Sequence, residues 1–148
     1  MEDDKELSAL LKDKSRALDQ NNHKEAASIC NYLGLLYSGK GLYDEAVQQH
    51  QQELSLCEKI KDRLGVAVAY RRLGECHAEL GVFKKCFIEL KQYLKIAVEL
   101  KDAVEIQRAE ATLGRTYFLH YSANSKTNEL SLSKAESHLL SALKLTER

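Results

Sequence analysis

The sequence predicts an all-α protein built as a stack of helical hairpins, about seven helices in all, and three observations carry that prediction. The pair Leu-Gly recurs at Leu33-Gly34, Leu73-Gly74 and Leu113-Gly114, 40 residues apart each time. Self-similarity at such a period marks stacked supersecondary units. Proline is absent from all 148 residues, so no helix interior is forced to break. Within each copy apolar residues fall at helical spacing: Ala26, Cys30, Leu33 and Tyr37, then Tyr43, Ala46, Val47, Leu54 and Cys57.

Taken in order, a leading unit over 1–22 holds a helix from about Asp4 to Asp19. Its Leu7, Leu10, Leu11 and Leu18 share one face and suit a lid on the flank of the first hairpin. Three hairpins follow over 23–62, 63–102 and 103–148. Residues 23–38, 63–79 and 103–121 read as first helices; 43–60, 83–100 and 131–146 read as second helices. Asn22 with Glu25, and Asp102 with Glu105, have capping-box spacing, in which the cap side chain accepts a backbone N–H and the carboxylate reaches back. Gly41 and Gly81 fall between paired helices, where a residue without Cβ takes the left-handed conformation that ends a helix. Gly34, Gly74 and Gly114 fall in mid-helix, where glycine costs about 1 kcal/mol relative to alanine. A cost repeated three times predicts close helix approach. In the third copy the register slips by nine residues within 122–130 and resumes at Ala135, Leu139 and Leu143, opposite Ala46, His50 and Leu54, so an insertion in a turn is expected there.

These residues resemble the tetratricopeptide repeat pattern: a Leu-Gly pair in the first helix, an aromatic three residues on, Gly before an aromatic, then a small residue. Leu33, Gly34, Tyr37, Gly41, Tyr43 and Ala46 match in the first unit. Leu73, Gly74, His77, Gly81, Phe83 and Cys86 match in the second, and Leu113, Gly114, Tyr117 and Ala135 in the third. His77 departs from the aromatic and Cys86 from the small alanine, and each unit is longer than the common one. The resemblance implies a right-handed superhelical solenoid. A narrower resemblance runs through CNYLGLLYSGKGLYDEAVQQHQQELSL, AVAYRRLGECHAELG and QRAEATLGRTY; the chain is similar there to the amino-terminal repeats of Tonsoku-like proteins. That family places such repeats before ankyrin and leucine-rich repeats. Its role, as the resemblance implies, is a nuclear scaffold at replication forks that binds histones and recombination-repair factors so that stalled or broken forks are restored by homologous recombination. The runner-up is the Leu-Gly-Asn type of cortical-polarity adaptor, which is cytoplasmic; here Leu35, Glu75 or Arg115 stands where its asparagine is expected.

Composition excludes other classes. Twenty-two basic residues offset twenty-two acidic ones, so no summed field recruits nucleic acid or an anionic bilayer. No apolar stretch approaches the roughly 20 residues of a membrane span, and the acidic start lacks the basic-then-apolar order of a signal peptide. Cys30, Cys57, Cys76 and Cys86 form no CxxC pair, and all four are expected to be thiols in a reducing compartment. No GxSxG, HExxH or phosphate-binding GxxxxGK[ST] occurs, so the expectation is no enzyme, cofactor or small-molecule substrate. Cys76, His77 and Cys86 lack a fourth ligand and fall on core positions, so no metal site is expected. His50 and His138 stand alone, without a carboxylate partner evident from spacing.

Stacked hairpins curve with their first helices lining the concave side. That places Asn31 and Leu35, Arg71, Glu75 and Glu79, and Arg108, Arg115 and Phe118 on a groove suited to an extended peptide. A basic histone tail would engage Glu75 and Glu79, an acidic partner Arg71, Arg108 and Arg115; the sequence leaves both open. The last helix carries Leu139, Leu140, Ala142, Leu143 and Leu145, too apolar for a capping helix. The expectation is an amino-terminal piece of a longer array, or a helix packed on another molecule.

Overall fold

A computed structural model describes residues 2–123 and 129–146 of the backbone, and side chains over 4–122 and 133–144. Seven helices are present among the described residues: α1 Glu2–Asp19, α2 His23–Gly39, α3 Tyr43–Lys59, α4 Arg63–Glu79, α5 Phe83–Glu99, α6 Ala103–Ala123 and α7 Glu129–Thr146. Each packs mainly on the helix before it and the helix after it. The result is an all-α solenoid of antiparallel hairpins α2–α3, α4–α5 and α6–α7, with α1 laid on α2. Among the described residues no helix is long and apolar enough to cross a membrane.

Local chemistry sets the boundaries. The first helix of every hairpin has a side-chain cap: Asn22 Oδ1 accepts from Glu25 N at 3.2 Å, Asp62 Oδ1 from Gly65 N at 2.9 Å, and Asp102 Oδ1 from Glu105 N at 3.1 Å. The reciprocal half of the expected capping boxes is not made. Glu25 accepts from the Asn22 side-chain amide at 2.9 Å, and Glu105 is engaged elsewhere. The second helices α3 and α5 begin after Leu42 and Val82, with no side-chain cap. Gly41 and Gly81 take φ of +78° and +75° within hairpins, and Asn21, Lys61 and Lys101 take φ of +56°, +59° and +55° between helices. The turns close by the same bond pattern. Leu42 N donates to Tyr37 O at 2.9 Å and Gly41 N to Ser38 O at 3.0 Å, which satisfies carbonyls that a helix end leaves bare.

The core is one strip along the stack, built from Cys57, Val66, Ala67, Cys86, Leu90, Tyr93, Ile96, Ala109, Leu113, Tyr117 and Ala135 among others. Phe87 stacks on Tyr117 with ring centroids 4.1 Å apart, joining the second hairpin to the third. The mid-helix glycines sit where helices of one hairpin touch. A Cβ on Gly34 would lie 2.3 Å from His50 Nε2, one on Gly74 2.6 Å from Leu90 Cδ2, and one on Gly114 2.7 Å from Leu139 Cγ. The same helix face thus meets His50, Leu90 and Leu139 in successive units.

Two expectations need correction. The leading helix does not bury all four leucines: Leu7 and Leu10 are half-buried and Ala17 is buried, but Leu11 and Leu18 are exposed. Helix α1 gains polar contacts instead. Lys14 Nζ donates to Gln49 Oε1 at 3.0 Å and Gln52 Oε1 at 2.9 Å on α3, its aliphatic stem supplying cover that a leucine face alone does not. The insertion at 122–130 is not all turn. Helix α6 runs on to Ala123 and α7 starts at Glu129; 124–128 lie outside the described residues, as does the side chain of Leu145.

Candidate functional site: a charged cleft between first helices

Helical periodicity puts Arg71, Glu75 and Glu79 on one face of α4, and Arg108, Thr112, Arg115 and Leu119 on the facing side of α6. Between them lies a cleft of about 500 Å³, also lined by Arg72, Ala78 and Thr116. A second cavity of about 340 Å³ adjoins it, formed by Leu35, Ser38 and Gly39 of α2, Tyr43 and His50 of α3, and α4. Arg72, Glu75 and Glu79 line both, so this strip of α4 is the wall they share. Asn31 lies in a third cavity of about 280 Å³, among Lys24, Ser28, Leu64 and Val68.

The expected groove residues therefore divide. Arg71, Glu75, Glu79, Arg108 and Arg115 converge on one cleft, Leu35 lines the adjoining cavity, and Asn31 lines a separate one. Phe118 does not belong with them: it is 51% exposed and lines none of these cavities. The cleft face of α6 runs 108, 112, 115, 119, and Phe118 falls one residue, about 100°, off that line. Arg72, Thr112, Thr116 and Leu119 were not expected. The i, i+4, i+7, i+11 ladder starting at Arg108 could have supplied Thr112 and Leu119; no sequence signal distinguishes Arg72 from a solvated neighbour of Arg71.

The charges are held by neighbours. Arg71 Nε lies 3.4 Å and Arg72 Nη1 3.8 Å from Glu75 Oε1. Arg108 Nη1 donates to Glu105 Oε1 at 2.8 Å, while the buried Tyr93 hydroxyl of α5 donates to the other oxygen of that carboxylate. Burial pushes the Tyr93 phenol upward, the bond to Glu105 adds to that, and the nearby Arg71 opposes it. Tyr93 thus anchors Glu105, and Glu105 holds Arg108. Among the described residues Arg115 Nη2 donates to Thr112 Oγ1 alone, at 3.3 Å. Among the described residues, Nε of Arg72 and Oδ1 of Asn31 are buried with no hydrogen-bond partner, and buried polar atoms left open in this way are rare enough to need a cause.

Other histidines and the thiols fill structural places. His77 Nδ1 is 2.6 Å from Glu89 Oε1, Cys76 Sγ is 3.6 Å from Ser38 Oγ, and Cys86 is fully buried, so these side chains point to different neighbours. Among the described residues no three His, Cys, Asp or Glu gather as a metal requires. The expectation that His50 and His138 lack carboxylates is overturned. His50 Nδ1 is 2.8 Å from Glu53 Oε1 within α3, and His138 pairs with Glu110 of α6. The i, i+3 spacing of His50 and Glu53 was visible in the sequence; the α6–α7 pair depends on tertiary packing. Burial pushes the Cys30 and Cys57 thiols up to about 11 and Cys86 to about 12, with Cys76 raised as well, so all four are weak nucleophiles.

A family model for the tetratricopeptide repeat matches residues 24–99, more than half of the chain. The chain belongs to the tetratricopeptide repeat family. Repeats of this family mediate protein–protein contacts, and the fold is of the non-catalytic scaffold type. Tonsoku-like protein of Bos taurus is 40% identical over 127 residues, covering 86% of this chain and 9% of that protein. The Mus musculus protein of the same name is 40% identical over 77% of this chain and 8% of its own length. The Drosophila melanogaster one is 37% identical over 91% of this chain and 10% of its own. The resemblance expected from the Leu-Gly segments is thereby borne out, with this tetratricopeptide repeat chain spanning about a tenth of the length of the curated relatives it matches.

Proposed function

We propose that this chain is a protein-binding module whose ligand is an extended segment of a partner protein, held along α4 and α6 and continuing toward α2. The observation that carries the reading is the convergence of Arg71, Arg72, Glu75, Glu79, Arg108 and Arg115 on one open cleft between first helices. Guanidiniums and carboxylates held in place at such a cleft grip backbone carbonyls, amides and charged side chains without doing chemistry. As part of a longer protein of the Tonsoku-like kind, the module serves a nuclear scaffold at replication forks. Its partners are histones or chaperone, replication and recombination factors, and its role is homologous-recombination repair of stalled or broken forks. The likeness to Tonsoku-like proteins over most of the chain supports that assignment. The polarity-adaptor reading has only the repeat length in its favour.

The test is recovery of core histones and of replication and recombination factors from nuclear extract on immobilised chain. The double variant Arg71→Glu, Arg115→Glu should lose at least one of these partners while keeping its helical circular dichroism. Equal recovery by parent and variant would remove the cleft from the function. Nuclear location is checked by imaging the tagged full-length protein after replication stress; exclusion from chromatin would sink the fork assignment.

A further inference from the structure

The cleft has a sign, although the chain as a whole has a formal net charge of zero. We infer, building on the groove reading above, that the α4–α6 cleft takes an acidic segment of a partner protein, with Asp or Glu side chains seated against Arg115 and the buried Nε of Arg72. Four guanidiniums and two carboxylates line it. Glu75 is already shared by Arg71 at 3.4 Å and Arg72 at 3.8 Å, so a basic ligand would have to compete with two resident cations for it. Arg108 is neutralised from outside the lining by Glu105, which the Tyr93 hydroxyl keeps in place.

What remains unmatched is cationic in excess. Arg115 has a hydroxyl as its partner and no carboxylate among the described residues. Arg72 keeps an Nε buried without a hydrogen-bond acceptor among the described residues, whereas Arg71 Nε already faces Glu75 Oε1 at 3.4 Å. A buried donor left unpaired is costly, and a charged acceptor is the group that relieves it most fully. Against these two open donors stands one carboxylate without an ion pair among the described residues, that of Glu79. An incoming carboxylate therefore meets donors arranged in advance, while an incoming lysine meets one free acid and the repulsion of Arg115. The partner is a protein with a run of acidic side chains in extended conformation, and a basic tail is not the occupant of this cleft.

The test uses the purified chain and fluorescence anisotropy with three labelled peptides: one rich in Asp and Glu, its Asn and Gln counterpart, and one rich in Lys. Binding is expected for the acidic peptide alone, falling as salt screens the contact. Arg115→Glu should weaken it by roughly tenfold or more, the scale of one charge-assisted bond, and Glu79→Lys should tighten it. Both side chains are exposed, and circular dichroism verifies that the variants keep the fold. Binding of the Lys-rich peptide, weakened by Glu79→Lys, would overturn the sign while leaving the groove reading intact. Absence of acidic-peptide binding would also overturn it, while the nuclear-extract comparison separately decides the groove reading. Equal binding of the acidic and amide peptides would show that charge does not select the ligand and overturn it too.

Discussion

Gly34→Ala is the smallest change that tests how the hairpins close. In most helices this substitution is favourable by about 1 kcal/mol. Here the added Cβ would lie 2.3 Å from His50 Nε2 and 2.4 Å from His50 Cε1, and no rotation of the alanine relieves that. The imidazole is 0% exposed and its Nδ1 is held 2.8 Å from the buried Glu53 carboxylate, so it cannot swing into solvent. A contact this short demands both that α2 and α3 part, at an overpacking cost of about 1–3 kcal/mol, and that the ring turn, losing a charge-assisted bond worth about 1.5–3 kcal/mol. Both together, offset by the propensity gain, give a net loss of about 2–5 kcal/mol. In a chain of this size that lowers the melting midpoint by roughly 5–15 °C.

The equivalent Gly114→Ala meets the 37% exposed Leu139, which can rotate outward, and the Ala135 backbone oxygen at 3.1 Å, which a small shift of α7 accommodates, so its effect should stay within about 1 kcal/mol. The assay is urea and thermal unfolding of Gly34→Ala, Gly114→Ala, His50→Ala and the double variant Gly34→Ala, His50→Ala. Once the ring is gone, Gly34→Ala should become stabilising by up to about 1 kcal/mol. Gly34→Ala as stable as the parent, or a penalty of the same size in the His50→Ala background, would refute the claim that imidazole contact is the reason for this glycine.

Two further outcomes follow from the core. Gly74→Leu puts a branched side chain where even a Cβ lies 2.6 Å from Leu90 Cδ2, and Leu90 is 0% exposed. The middle hairpin should open and release its neighbours on both sides, costing about 3 kcal/mol or more; a melting curve like the parent's would mean the repeat register is misassigned. The buried thiols set an alkaline limit. Folding holds the Cys86 proton up to about pH 12, against 9.0 for an ordinary thiol, so the folded chain binds more protons than the unfolded one in that interval. Stability is therefore intact below pH 9 and falls as pH rises toward 12. Cys86→Ala, the residue found at the equivalent Ala46 and Ala135, should make that fall shallower while changing neutral-pH stability by no more than about 1 kcal/mol. Melting midpoints against pH check it, and parallel curves for parent and variant would remove Cys86 from the account.

Much of the fold was legible because repeats write their contacts into a period. Leu33-Gly34 and its copies, the cap residues at 22 and 102 and the glycines at 41 and 81 are local signals: each acts through its own backbone or the next turn, so its chemistry can be read from spacing. The Lys61 and Lys101 turns were less legible, since lysine does not advertise a left-handed φ. The lid helix was misread for a different reason. A face of leucines shows what could be buried, but whether Leu11 and Leu18 are covered depends on how far the neighbouring helices reach.

The candidate site divides along the same line. The sequence by itself determined that Arg71, Glu75, Arg108 and Arg115 share a face with one another, since helical period and a constant repeat length place corresponding residues side by side. It could not say which charges cancel. Glu75 pairs with two arginines of its own helix at i, i+4 and i, i+3 spacing, but tertiary structure decides the rest: Tyr93, fully buried on α5, claims Glu105 across the hairpin boundary. Among the described residues Arg115 is left with a threonine hydroxyl alone. The Tyr93–Glu105 contact depends on a distance of a few ångströms between side chains of different helices, which no spacing within one helix reveals. The period determined the groove, and the packing of one repeat on the next determined its charge.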